Sequence, residues 1–388
     1  MDPIKIRKVK SRDVFPLVEE WQLAYPEDHQ FKYPHRWKWL YEESPYVPES
    51  GEADIPGWIA LDGPNIVGWS FAMSIPGKIF NRETMIAYGL DMHVKSSHRK
   101  RNIGLRLHQS NQYSHPVYII IQMSKGSRAL LEKSGARIGP PVSIYLKMFA
   151  SFDAELLCQS FMNAIYNRRV GPGFLNILSD ANRITGGAAF KILSYFFKFA
   201  VMRGNASSDY LNDEIGTDDS FQFKELERFD DDADGFWDKI KNDYDLAVSR
   251  DRKYLNWKYA DHPQLTYSKY CIYKGDEMVG LLVFRIGRSP EIKIGVILEL
   301  MALGNDENVI RAMLKYAELK LKAKGAVSLK CASSVPEVNR VISKTGYQLV
   351  EVKTPMIYIN EDILPFRCPD FSKTRWLMSM ADHDLDLP

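Results

Sequence analysis

Val94-Lys95-Ser96-Ser97-His98-Arg99-Lys100-Arg101-Asn102-Ile103-Gly104-Leu105-Arg106-Leu107 joins the end of a β-forming run to a basic turn, and the turn to a helix. Backbone N–H groups at a helix N-terminus have no partner within the helix and point outward, which makes an anion site. Gly104 lets a phosphate approach closely, and Arg99, Lys100 and Arg101 supply countercharge. A pyrophosphate is the natural occupant; a solvated basic loop is the other reading of the same composition.

Outward from this junction the first 150 residues alternate between strand and helix patterns. Ile4–Val9 has strand character, and Asp13–Leu23 has helical spacing through Val14, Leu17, Val18 and Trp21. Trp58–Leu61 and Ile66–Ser74 are strands joined by Asp62-Gly63-Pro64-Asn65, and Met85–Val94 is a third. After the basic turn come a helix to about Tyr113, the β run Val117–Ile121, a helix Ser127–Ser134 stopped by Gly135, and the strand Ser143–Phe149. The expected fold is mixed α/β (α+β), with a largely antiparallel sheet flanked by helices.

The second half repeats this logic. Trp39-Leu40-Tyr41 and Trp257-Lys258-Tyr259 open two copies of W-x-Y-x-x-x-P, and each copy leads to a strand, a charged turn and a Val-Gly pair. Each half later offers a β run and a helix ending in Lys133-Ser134-Gly135 or Lys344-Thr345-Gly346. Asp306–Lys324 is amphipathic through Val309, Ile310, Met313, Leu314, Ala317 and Leu321. Two tandem units follow: residues 1–150, a helical linker region at 151–221, and a second unit with tail at 222–388. The linker holds the most apolar stretch, Gly187–Met202, too short to span a bilayer and expected as a buried or interfacial helix.

Composition narrows the class. The 388 residues are 45% hydrophobic and 26% charged, which fits a folded chain with two cores and excludes a disordered one. Lys+Arg 51 against Asp+Glu 49 leaves a net charge of +2, so no global field invites nucleic acid or an anionic membrane. The four cysteines, Cys158, Cys271, Cys331 and Cys368, have no C-x-x-C spacing. They read as reduced thiols of a cytoplasmic protein with no metal site. The N-terminus lacks the apolar run of a signal peptide.

The basic junction resembles the GNAT superfamily of acyl-CoA-dependent N-acyltransferases, whose signature is V-x-P-x-x-[QR]-x-x-G-x-[GA]. Arg99 and Gly104 match it, Asn102 stands at its first glycine and Ser96 at its proline. Asparagine tolerates left-handed backbone better than most residues, so the turn remains open to this chain. Leu90-Asp91-Met92 and Arg250–Tyr259 are similar to acyltransferase-like proteins of bacterial surface-polysaccharide clusters.

The resemblance implies tandem GNAT-like sheets, with acetyl-CoA as cosubstrate held in the first half by Met92, Val94, Arg99, Lys100, Arg101, Asn102, Ile103, Gly104 and Leu105. It also implies direct attack on the thioester by the amine of a nucleotide-linked amino sugar. Tyr88, Asp91 and His93 are the candidate bases at the end of the third strand, and a bulge there would decide which of them face the acceptor. Where the family often has a tyrosine to protonate the leaving thiolate, this chain has Leu131. Trp39, Tyr41, Arg252 and Trp257 could line an acceptor groove, or the W-x-Y pairs could be packing fixtures of the repeat. In the second half, Glu299 and Asp306 replace the basic turn, and an acid repels a pyrophosphate. That half is expected to be a degenerate copy that shapes the acceptor pocket. An aminoacyl-tRNA-dependent transferase of the tandem GNAT-like type and a non-catalytic binding protein are the alternatives.

Overall fold

A computed structural model describes residues 3–26, 32–47, 55–99, 101–149, 220–287, 293–365 and 370–382. The expected linker helix, Gly187–Met202, Lys100, Cys158 and Cys368 lie outside the described residues.

The first sheet is built from β1 (Lys5–Val9), β2 (Ile55–Asp62), β3 (Asn65–Ile79), β4 (Arg82–Val94) and β5 (Val117–Ile120). The turn at Asp62–Asn65 makes β2 and β3 a hairpin, with Gly63 at φ 56 where a side chain would be strained. β4 pairs antiparallel with β3 and parallel with β5. Helices α1 (Val14–Ala24) and α2 (Trp37–Tyr41) cover one face, and α3 (Ile103–Gln112) and α4 (Lys125–Lys133) the other. The second sheet repeats this order with β8 (Gln222–Glu225), β10 (Ser268–Lys274), β11 (Glu277–Ile286), β12 (Ile294–Ala302) and β13 (Ser328–Ser333). Short β9 (Leu246–Val248) leaves this half to pair with the far end of β3. Helices α5 (Asp231–Ile240), α6 (Arg252–Leu255), α7 (Glu307–Ala323) and α8 (Pro336–Lys344) complete the second half. The stripe expected on residues 306–324 is buried as α7, capped by the Asp306 side chain on the amides of Asn308 and Val309.

The last strands are exchanged. β7 (Val142–Met148) was expected to finish the first sheet; it lies instead between β13 and β14 (Gln348–Lys353) of the second. In return β15 (Met356–Ile359) enters the first sheet between β5 and β6 (Arg137–Ile138). The second sheet therefore carries β7 from the first half, while the first sheet takes β15, and β9 onto β3, from the second. Period-two patterning says which face of a strand is apolar but not which neighbour it takes, so the swap was invisible in the sequence. Two mixed, mostly antiparallel sheets flanked by helices result, sharing one apolar core.

Candidate functional site

The first sheet opens where β4 and β5 part. Their parallel ladder runs Ile86–Val117, Ala87–Tyr118 and Tyr88–Ile119, then stops, while β4 continues to Val94. A wedge is left between the strands, with its neck at Tyr88. Just beyond, β4 bulges: Trp69 faces His93 and Phe71 faces Leu90, so two β4 residues oppose Ser70 alone, with Asp91 at φ 47. The bulge resets the alternation of faces. Tyr88, Leu90, Asp91 and His93 look toward α1, α2 and the second half, while Met92 and Val94 turn to α3 and pack with Ile103 and Leu107.

At the mouth of the wedge lies the basic turn. Asn102 adopts φ 56, ψ 14, the left-handed conformation required by the turn, and caps α3. The first intrahelical bond is donated by the Arg106 amide to Asn102 C=O at 3.1 Å, so the amides of Ile103, Gly104 and Leu105 precede it. Arg99 Nε donates to Val94 C=O at 3.2 Å, which folds its side chain back over the strand end. Arg101 and His98 both lean on Asp62, at 3.2 and 3.1 Å, and hold its carboxyl below the usual range, the His98 bond being the larger cause. A left-handed cap, amides without intrahelical partners and exposed guanidinium groups thus meet at one point, an arrangement chemically suited to an anion.

The three candidate bases have different surroundings. Tyr88 is buried and donates to Asp382 at 2.8 Å; burial first, then the Asp382 charge, pushes its pKa well up. Asp91 is buried too, accepting from Arg36 at 3.0 Å and from Tyr41 at 3.3 Å. Neither is placed to take a proton from an incoming amine. His93 is half-buried, stacked on Trp69 at 4.8 Å with Tyr25 edge-on at 5.8 Å. Burial and, next, the Arg99 charge lower its pKa from the ordinary 6.5, so its ring is neutral at pH 7 and can accept a proton.

Two solved structures titled GCN5-related N-acetyltransferase, from Anabaena variabilis and Kribbella flavida, superpose with TM-scores of 0.54 and 0.51 at 10% identity. They cover 92% and 93% of this chain and 73% of their own. A conserved protein of unknown function from Enterococcus faecalis reaches 0.57 at 8% identity, covering 93% and 73%. No family model matches the sequence, and no curated protein matches it. The chain has the GNAT fold.

Within that fold the residues proposed for an acceptor groove lie elsewhere. Trp39 and Trp257 stack on each other at 4.7 Å, each indole N–H bonded to the other's backbone carbonyl, at 3.1 and 3.4 Å. They are 7% and 4% exposed, and Tyr41 is 1% exposed. The W-x-Y pairs thus seal the two GNAT halves together, because stacked, desolvated indoles gain more from each other than from water. Arg252 is exposed at the start of α6 and paired with Asp231 and Asp234. The repeat is chemically faithful even so: Tyr41 donates to Asp91, and Tyr259 donates to Glu299 at 2.7 Å.

The second wedge, between β12 and β13, opens past Val296–Lys330 and is filled by the chain's own C-terminal segment. Ser379 bridges Ser333 at the end of β13 and donates to Glu299 of β12 at 3.3 Å; Met378 and Ser334 exchange bonds beside it. Asp382 of the same segment accepts from Tyr88 and from Arg250, which also pairs with Glu299 at 2.8 Å. Lys258 donates to Ala381 C=O, so two cations and two carboxylates meet in a buried knot between the halves. Tyr25 and Asp382 carried no motif and were missed; only the acid-for-base change at Glu299 hinted at the knot.

Among the described residues no cluster of three or more His, Cys, Asp or Glu could hold a metal ion, and no helix is long and apolar enough to cross a membrane. Cys271 and Cys331 are free and buried.

Proposed function

We propose that this chain is an N-acetyltransferase working in its first half, with acetyl-CoA as donor and a small-molecule primary amine as acceptor, in the cytoplasm. The observation that carries the reading is the junction of the open β4/β5 wedge with the left-handed Asn102 turn. There a diphosphate can sit on the amides of Ile103–Leu105 while the thioester reaches the bulged end of β4. Arg99 and Arg101 would balance the phosphate charge. Met92 and Val94 would support the turn from below by packing on α3. His93 would remove the proton as the amine attacks, and the GNAT fold of the neighbours supports the same chemistry.

The acceptor we carry forward is the amine of a nucleotide-linked amino sugar of surface-glycan synthesis. Trp39, Tyr41 and Trp257 are buried and lend it nothing, so its support is the resemblance of residues 90–92 and 250–259. No nucleic acid and no membrane take part in this reading.

Calorimetric titration with acetyl-CoA tests the donor. Gly104 is a poor place for a blocking side chain, since even a Cβ there would come 3.1 Å from Leu130 and 3.2 Å from Met92. The double variant Arg99→Glu, Arg101→Glu is better, because both side chains are exposed and their loss costs the fold little. Two lost charge-assisted bonds should weaken binding about 100-fold or more. Absence of binding by the unaltered chain would overturn the reading. Nucleotide-linked amino sugars, screened by acetyl mass gain, come next.

A further inference from the structure

β14 ends the second sheet, and among the described residues no strand pairs with its outer side. The other terminal strands are poor templates for a further one. β1 carries Lys5, Arg7 and Lys8, β8 carries Gln222, Lys224 and Glu225, and β6 is two residues long. Charge and brevity are the usual means by which an edge is kept from pairing. β14 differs: Leu349, Val350 and Val352 are 55%, 52% and 49% exposed. They are three of the nine large hydrophobic side chains exposed among the described residues. A third of that set on one short strand is a patch rather than a scatter, and such patches mark interaction surfaces.

The charges of the strand select what covers it. β14 pairs with β7 as Leu349–Tyr145, Glu351–Ile144, Val352–Ser143 and Lys353–Val142, so Val350 is an extra, bulged residue. Tyr145 and Ser143 share a face of β7, and the bulge therefore brings Leu349 and Val352 to one face of β14. Beyond it Glu351, Val352 and Lys353 run regularly, with Glu351 and Lys353 on the other face, ion-paired to each other. Two identical strands meeting edge to edge in antiparallel are related by a two-fold axis. An axis through Glu351 or through Lys353 would set like charge against like. An axis through Val352, the centre of the regular stretch, sets each Glu351 against Lys353 of the second copy and packs Val352 on its own copy. Opposite charges directly across a strand pair stabilise it, and like charges do the reverse.

We propose that β14 pairs with β14 of a second copy of this chain about a two-fold axis at Val352, so that the two second sheets become one. The edge is short and buries less than the roughly 1,600 Å² of a standard interface, which makes the dimer reversible, in exchange with monomer at micromolar concentration. The surface lies in the second sheet, and the proposal does not depend on the acyl-transfer reading.

Sedimentation equilibrium of the full chain across the micromolar range reads the association directly. Glu351→Lys sets lysine against lysine on both sides of the axis and should weaken the dimer about 10-fold. Lys353→Glu should do the same with carboxylates. The double exchange, Glu351→Lys with Lys353→Glu, puts opposite charges across the axis again and should recover the original affinity. Val352→Lys, with like charges at the axis itself, should leave a monomer. None of the three side chains is buried, so melting should be unchanged in every variant, which separates loss of the dimer from loss of the fold. A chain that stays monomeric throughout the range would overturn the proposal. So would a dimer that neither single reversal weakens, or a double exchange as weak as the single ones.

Discussion

Changing His93 to glutamine is expected to lower kcat by about 100- to 10,000-fold, the usual contribution of a positioned general base. Acetyl-CoA affinity should hold, because the ring faces Tyr25 and Trp69 rather than α3. Of the three titratable candidates on β4 only His93 keeps its ring free of an ion pair or a buried hydroxyl bond, so the loss should be confined to it. The pH dependence has a definite sign. Imidazole is a base only when neutral, and burial with the nearby Arg99 charge lowers its pKa. The rate should therefore persist below pH 6.5 and fall as acid protonates the ring, with a midpoint lower than an exposed histidine gives. A His93→Gln chain of unchanged kcat would remove the side-chain base from the scheme, leaving water to act alone.

Arg250→Met is expected to destabilise the fold by about 3–5 kcal/mol, read as a lower urea midpoint at constant slope. Arg250 is wholly buried, and although burial works against its charge, Asp382 and Glu299 hold it protonated. Methionine fills similar space but leaves two carboxylates facing each other in a dry interior. Neutralising one of them as well, with Asp382→Asn, should recover much of the loss, since the buried Lys258 charge then balances Glu299 and the cost lies in uncompensated charge rather than in volume. An Arg250→Met midpoint equal to that of the unaltered chain would mean that the knot is hydrated and weak.

Much of the first half could be read from residues alone. The basic turn was legible because its helix start, its three consecutive cations and its tight-turn residue are contiguous, and contiguity is what a sequence displays. Asn102 even predicted its own left-handed backbone. The partners of Asp91 and Tyr88 could not be read because they are remote in sequence: Arg36 ends the helical turn Lys32–Arg36 and Asp382 lies in the tail. The W-x-Y repeat was seen, but whether an aromatic lines a groove or a seam depends on what packs over it. Here each copy is the other's cover.

The exchange of β7 and β15 bears on how this protein is made. When the first half emerges from the ribosome, β5 has no partner on its outer edge, and that edge stays bare until Met356–Ile359 has been translated. The first sheet, and with it the wedge, cannot close during synthesis of its own half. A nascent chain must keep an apolar strand edge from pairing with a neighbour while nearly all of the second half is still to come. For the same reason a gene cut between the halves should yield two insoluble fragments when each is made alone, and a soluble pair only when both are made together.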